Sequence, residues 1–478
     1  MTLRSEVMSG LRWLVASRLA AQLATWAATV LIMRLLAPSD YGLMALGTFC
    51  IVLITLINEM GLGSALIQAK DMPREIVDRV FTLIFVVNVL LGGALAVAAP
   101  LVAGFFHEPK LTEVLRVLAL QFLIIPWSTV TRSLLERQLA FRRKSILDMI
   151  VNVSGGLATL VLAYLGWGVW ALVWGSLWMA LARAVGFSLI APYRPRFALS
   201  VRGTRRVLTF GGMVGLNQLL FFFYSQADVF IAGKLLGKEG LGLYSVAIEI
   251  ASLPMQKVAG IFNQVALPAF SRIQEDRARV AANVVRAVRM MSLASLPVFW
   301  GISAVAPEIV LGILGEKWRT AVVPLQIVSL VVPLRMIGTL ISPAVQAMGR
   351  ADVSLGNLAI ACLVMPTAFF FGAYYGREVG MSIAWVTGYP IVLGVILKRS
   401  GSVLGVRPTV ILAALVKPGA GVALMYAAVM AARSLIPDTW GPREALAVLI
   451  PTGAVVYLGF TWVADRRSAG EFLGLLRA

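Results

Sequence analysis

The chain has 478 residues, 59% of them hydrophobic and only 14% charged, with a net charge of +19. That balance excludes an ordinary soluble domain. Two cysteines and a single histidine, His107, exclude a disulfide framework, a metal site of Cys/His spacing and any mechanism built on a histidine triad.

Apolar runs of roughly 20 residues, the length a helix needs to cross hydrocarbon, recur from end to end. In chain order they fall at about 11–35, 42–67, 80–105, 113–135, 146–165, 168–190, 207–233, 241–268, 287–314, 321–347, 354–375, 379–397, 410–432 and 444–464. The runs do not alternate apolar with polar, so helices and not a β-barrel are predicted. The first run is too long for a signal-peptide core and lacks a small-residue cleavage pattern, so it is expected to stay in the mature protein. Cys50 and Cys362 fall inside spans, where packing is their expected role.

Arg4 and Arg12 precede the first span, and every second connection afterwards carries most of the Arg and Lys, from Lys70 and Arg74 to Arg466 and Arg467. The positive-inside rule places these connections, and both termini, in the cytoplasm. The excess positive charge is therefore read as a set of topology determinants beside anionic headgroups, with no nucleic-acid partner.

The stretch "RLLAPSDYGL" from Arg34 returns as "KLLGKEGLGL" from Lys234, an offset of 200 residues (234 − 34). Six spans separate the copies, an even number, so the two enter the membrane in the same direction as parallel repeats. "QLAFR" at 138–142 and "QAMGR" at 346–350, each after the fourth span of its set, repeat the relation. The predicted organisation is a six-helix repeat at 1–190, a basic cytoplasmic linker at 191–206, a second six-helix repeat at 207–397, and two additional helices with a tail at 398–478.

The same offset sets Ser17 and Arg18 against Asn217 and Gln218, and Thr25 against Ser225. Arg18, Gln22, Thr25 and Thr29 share one face of the first helix; Glu249, Ser252, Gln256, Gly260 and Asn263 share one face of the eighth. Such faces cannot point at lipid, so Gln22, Thr25, Asn217, Gln218, Ser225, Gln256 and Asn263 are candidate cavity lining.

A charge at a helix centre costs about 2.5–3.5 kcal/mol on insertion scales unless paired or hydrated. Arg132, Arg183 and Lys417 lie near enough to span ends to snorkel. Arg18, Lys257 and Arg335 are the candidates for a cationic interior that holds a phosphate or other acidic group. The competing reading is internal pairing with Glu59, Asp228 or Glu249, carboxylates that could instead take up a coupling proton or sodium ion. Both readings stay open.

Trp167, Trp170, Trp174 and Trp178 form a stripe on the sixth span that could stack on sugars, although an interfacial belt is the favoured reading. Pro254, Pro297, Pro333, Pro366, Pro390 and Pro418 are candidate bends or hinges. No G-x-x-x-x-G-K-[ST] loop occurs, so ATP-driven transport by this chain alone is not expected.

"RLLAPSDYGLMAL", "NEMGLGSALIQ" and "DVFIAGKLLGKEGLGLYSVA" resemble the polysaccharide flippases of the Wzx type, exopolysaccharide branch, within the multidrug/oligosaccharidyl-lipid/polysaccharide (MOP) export superfamily, over nearly the whole chain. The resemblance implies an all-α membrane protein of about 14 transmembrane helices, a V-shaped MOP/MATE-like bundle whose halves rock to alternate access. It implies translocation of an undecaprenyl-pyrophosphate-linked oligosaccharide from the inner to the outer leaflet of the bacterial inner membrane, with no catalysis and no cofactor or metal. The substrate lipid, membrane lipids, and polysaccharide polymerase and chain-length proteins are the partners implied. Arg18 matches an arginine frequent in the family's first helix and Asp228 the acidic residue of its seventh; Glu59-Met60-Gly61 stands where Asp-x-Gly is usual. A lipid II flippase and a multidrug exporter of the same superfamily are the alternatives, the latter disfavoured by a basic interior. An enzyme such as a polymerase or glycosyltransferase is disfavoured by the short, basic connections.

Overall fold

The computed structural model describes residues 25–59, 74–137, 141–190, 193, 196–198, 205–437, 439–466 and 470, with backbone alone at 57–59, 141, 205–217, 256–265 and 267–268. Among these, every regular element is helical: α1 (Thr25–Leu35), α2 (Pro38–Glu59), α3 (Arg74–Phe106), α4 (Leu111–Ala119), α5 (Gln121–Arg137), α6 (Phe141–Tyr164), α7 (Val169–Ile190), α8 (Arg205–Ser271), α9 (Arg277–Ala304), α10 (Ala306–Ile309), α11 (Val322–Ala347), α12 (Ala351–Leu404), α13 (Pro408–Leu435) and α14 (Pro442–Ala464). Eleven helical stretches among the described residues are long and apolar enough to cross a membrane. Large apolar side chains are widely exposed, Val97 by 80% and Leu101 by 78%, as a face in contact with hydrocarbon requires.

Two helices are far longer than one crossing, α8 with 67 residues and α12 with 54. Each carries a backbone break, at Gly237 (φ 71°, ψ −175°) and at Arg377 (φ 49°, ψ −136°). The breaks fall in the short connections that separate the seventh span from the eighth and the eleventh from the twelfth in the sequence. At Gly237 the positive φ is free of side-chain strain; at Arg377 it is not.

Internal contacts divide the chain into two compact units, Met1–Phe222 and Phe223–Ala478. In the first, α6 and α7 approach closely because Gly155 faces Met179 and Gly175 faces Thr159, where a methyl group would overlap the opposite side chain. Backbone proximity of this kind supplies the dispersion contacts that hold helices together in lipid. Val77, Val80, Phe81, Ile84 and Val130 form a core between α3 and α5. The segment after α7 is stitched to α3: Tyr193 Oη donates to Asp78 Oδ1 at 2.6 Å, and the Ala198 N–H donates to Thr82 Oγ1 at 2.8 Å. Burial, reinforced by the Asp78 bond, pushes the Tyr193 phenol up, so it stays protonated and keeps donating.

In the second unit, Gly372 and Gly380 face each other across the Arg377 break, so the two limbs of α12 lie backbone against backbone. The last two helices are fixed by polar ties. Arg433 Nε of α13 donates to Glu308 Oε1 of α10 at 2.8 Å, and Tyr457 Oη of α14 donates to the Leu293 carbonyl of α9 at 3.0 Å.

Candidate functional site

The second unit contains a polar chain inside otherwise apolar packing. Asp228, 5% exposed, lies on α8 before the Gly237 break, and the break returns the helix so that Tyr244 meets it. Tyr244 Oη donates to Asp228 Oδ2 at 3.0 Å, and the Val229 N–H donates to Oδ1 at 2.8 Å. Trp385 Nε1, from the second limb of α12, donates to Tyr244 Oη at 2.8 Å. The Arg335 guanidinium of α11 lies over the same indole, its Cζ 3.9 Å from the ring centroid. Tyr389, one turn beyond Trp385, donates to the Arg335 carbonyl at 3.4 Å, in space left by the absent side chain of Gly338.

The two charges of this cluster are treated differently. Asp228 has its oxygens bonded by a phenol and a backbone amide. Arg335 is half-buried, and its Nη1 is fully buried with no hydrogen-bond partner. The two do not form an ion pair; Tyr244 and Trp385 connect them. A cation–π contact offsets part of the guanidinium's desolvation, by about 2 kcal/mol when dehydrated, but supplies no acceptor for its N–H groups. Chemically the arrangement is a desolvated cation with open donors, suited to an incoming oxyanion.

Of the residues singled out in the sequence, Arg18 and Gln22 lie outside the described residues. Glu59, Asn217, Gln256, Lys257 and Asn263 are described in backbone only. Thr25 and Thr29 are bonded along α1, Thr29 Oγ1 donating to the Thr25 carbonyl at 3.0 Å. Gln218 and Ser225 are exposed on one face of α8, and Glu249 is half-buried farther along it. The structure thus brings together Asp228 and Arg335, and adds Tyr244, Trp385 and Tyr389, which the sequence reading missed. Arg132 pairs with Glu136 at 3.0 Å, Arg183 donates to Asn152 at 3.3 Å and Lys417 approaches Asp465 at 3.9 Å. Trp167, Trp174 and Trp178 are 43–48% exposed, as an interfacial belt would be.

Helices long enough to span a membrane, two of them broken midway, with a buried polar chain between them, define a polytopic helical membrane bundle. Solved structures place it among the MOP folds: it matches the lipid II flippase MurJ in an inward closed conformation with a TM-score of 0.75 and 15% identity, covering 95% of this chain and 99% of that one. An inward-facing MATE multidrug resistance transporter of the MOP superfamily matches with a TM-score of 0.60 and 17% identity over 84% of this chain and 94% of that one. Residues 31–323 match the polysaccharide biosynthesis protein family Polysacc_synt_3, and the chain belongs to that family. Its relatives include the teichuronic acid biosynthesis protein TuaB of Bacillus subtilis, 25% identical over 83% of this chain and 82% of TuaB. They also include the lipopolysaccharide biosynthesis protein WzxC of Escherichia coli, 24% identical over 81% and 79%, and the succinoglycan biosynthesis transport protein ExoT of Rhizobium meliloti, 26% identical over 77% and 74%. These are Wzx-type proteins, as the sequence motifs indicated.

Proposed function

We propose that this protein moves undecaprenyl-pyrophosphate-linked oligosaccharide repeat units from the cytoplasmic to the outer leaflet of the bacterial inner membrane, for exopolysaccharide or related surface glycans. Membership of the polysaccharide biosynthesis family over residues 31–323 is the observation that carries this reading. Relatives named for teichuronic acid, lipopolysaccharide and succinoglycan synthesis support it, because their products differ while the chain type does not. The MurJ-like fold supports a substrate that is itself a lipid.

In this reading Arg335 meets the pyrophosphate, trading its missing acceptor for a charge-assisted bond while Trp385 holds the guanidinium plane. Arg18 and Lys257 carry the same expectation from the sequence. Asp228 is the carboxylate placed to respond to a coupling proton or sodium ion, with Tyr244 reporting its state to Trp385 and so to Arg335. An apolar groove of about 930 Å³ in the second unit, lined by residues including Pro297, Val305, Met425, Leu449 and Tyr457, offers hydrocarbon-compatible walls for a prenyl tail. Both termini face the cytoplasm, and the polymerase and chain-length proteins receive the product on the other side.

The test is to deplete the protein in cells and label lipid-linked oligosaccharides with a membrane-impermeant sugar-modifying probe. The reading requires a repeat-unit lipid that accumulates out of the probe's reach, with loss of surface polysaccharide. If the lipid still reaches the outer leaflet, the assignment is wrong and lipid II or drug export takes its place.

A further inference from the structure

A second basic site lies at the end of unit 2 where α9 begins and α11 and α12 end. Arg277 is the first residue of α9, Arg350 sits in the turn opened by Gly349 (φ 73°), and Arg399 is on the second limb of α12. Together with Ser402 and apolar neighbours that include Val353 and Val403, their side chains line one pocket of about 430 Å³. Arg335 stands 12 residues before the end of α11 (347 − 335), about 18 Å along the helix axis, so the two sites are separate.

The charges here are only partly balanced. Arg350 is held by Asp352 through two bonds of 2.9 and 2.8 Å. Among the described residues, no carboxylate pairs with Arg277 or Arg399. Arg399 is nonetheless seated: its guanidinium lies across Gly356, where a methyl group would overlap it. The next residue, Asn357, donates to Ser400 Oγ at 3.2 Å and locks the two limbs of α12 around that seat.

Guanidiniums that converge from separate helices, one of them pre-positioned, suit a multiply charged tetrahedral anion better than a single carboxylate. The apolar flank beside them suits an anion that carries an acyl or prenyl chain. We propose that this pocket binds the phosphate of a lipid headgroup, as a site distinct from Arg335. Two lipids present that chemistry, an anionic phospholipid of the surrounding bilayer and a polyprenyl pyrophosphate. The proposal stands on the pocket and does not require the flippase reading.

The test uses the purified full-length protein in neutral detergent, titrated separately with short-chain phosphatidylglycerol and with undecaprenyl pyrophosphate, and affinity read from the rise in Tm. At least one lipid binds, and R277Q/R399Q weakens it about tenfold, while R142Q/R143Q, which removes two exposed arginines at the start of α6, leaves it unchanged. The lipid whose affinity falls identifies the source. G356A keeps every charge, displaces Arg399 and weakens binding several-fold, so a folding defect in the double variant does not decide the result. Binding of neither lipid by the wild type, equal affinity in the wild type and both pocket variants, or an equal loss in the R142Q/R143Q control overturns the proposal. None of these outcomes bears on the leaflet assay, which measures transport.

Discussion

The two units use the related stretches that begin at Arg34 and Lys234 differently. In the first unit, Asp40 at the start of α2 accepts from the Ala37 N–H and from the Val169 N–H, both at 3.0 Å, and so joins the second span to the turn that precedes α7. That turn contains Gly168, with φ 56° and a hydrogen where a methyl would sit 3.2 Å from Asp40 Oδ1. In the second unit the position 200 residues on is Gly240, and the carboxylate comes from the other side: Glu378, beside the positive-φ residue Arg377, lies where a methyl on Gly240 would approach it to 2.6 Å. In the first unit the motif's Asp40 thus braces α2 against the turn before α7.

A second contrast separates brace from site. Asp228 and Tyr244 correspond at the same offset to Ala28 and Met44. Ala28 Cβ lies 3.7 Å from where a methyl on Gly156 would be, so the first unit packs apolar surface where the second runs its polar chain.

The largest effect on stability is expected from forcing the polar solution onto the wrong unit. A28D places a carboxylate against Gly156 with neither the tyrosine nor the tryptophan that serve Asp228, at a cost of about 3 kcal/mol, and should lower folded yield and Tm sharply. Removing the brace in D40A orphans two backbone donors and should cost about 1–2 kcal/mol, whereas D40N, whose single amide oxygen accepts from only one of the two N–H groups, should recover no more than about half of it. W385F removes the N–H to Tyr244 and part of the ring under Arg335 at a position only 3% exposed; a loss of about 1–2 kcal/mol in Tm-derived stability is expected. If A28D were as stable as wild type, the distinction between the units would fail.

The spans were legible because hydrophobic runs of membrane length need no partner to be recognised. The connection that holds the Gly237 break was legible too, as the gap between the runs at 207–233 and 241–268. Arg335 stood out by depth alone. Tyr244 and Trp385 did not, because an aromatic residue in an apolar run looks like packing until the group 141 residues away that it bonds is placed beside it. The role of Asp40 leaves no local sign either, since its second donor, Val169, is 129 residues distant. Long-range polar pairing, which leaves no local period, is the part that a sequence reading lacks.

The central claim is that Arg335 handles the substrate's phosphate. The direct measurement is the leaflet distribution of lipid-linked oligosaccharide in depleted cells that express wild type, R335K or R335E at matched membrane levels. The account predicts full rescue by wild type, partial rescue by R335K, which keeps charge but loses the guanidinium placed over Trp385, and a loss of about 100-fold in R335E. Rescue by R335E equal to wild type would contradict it.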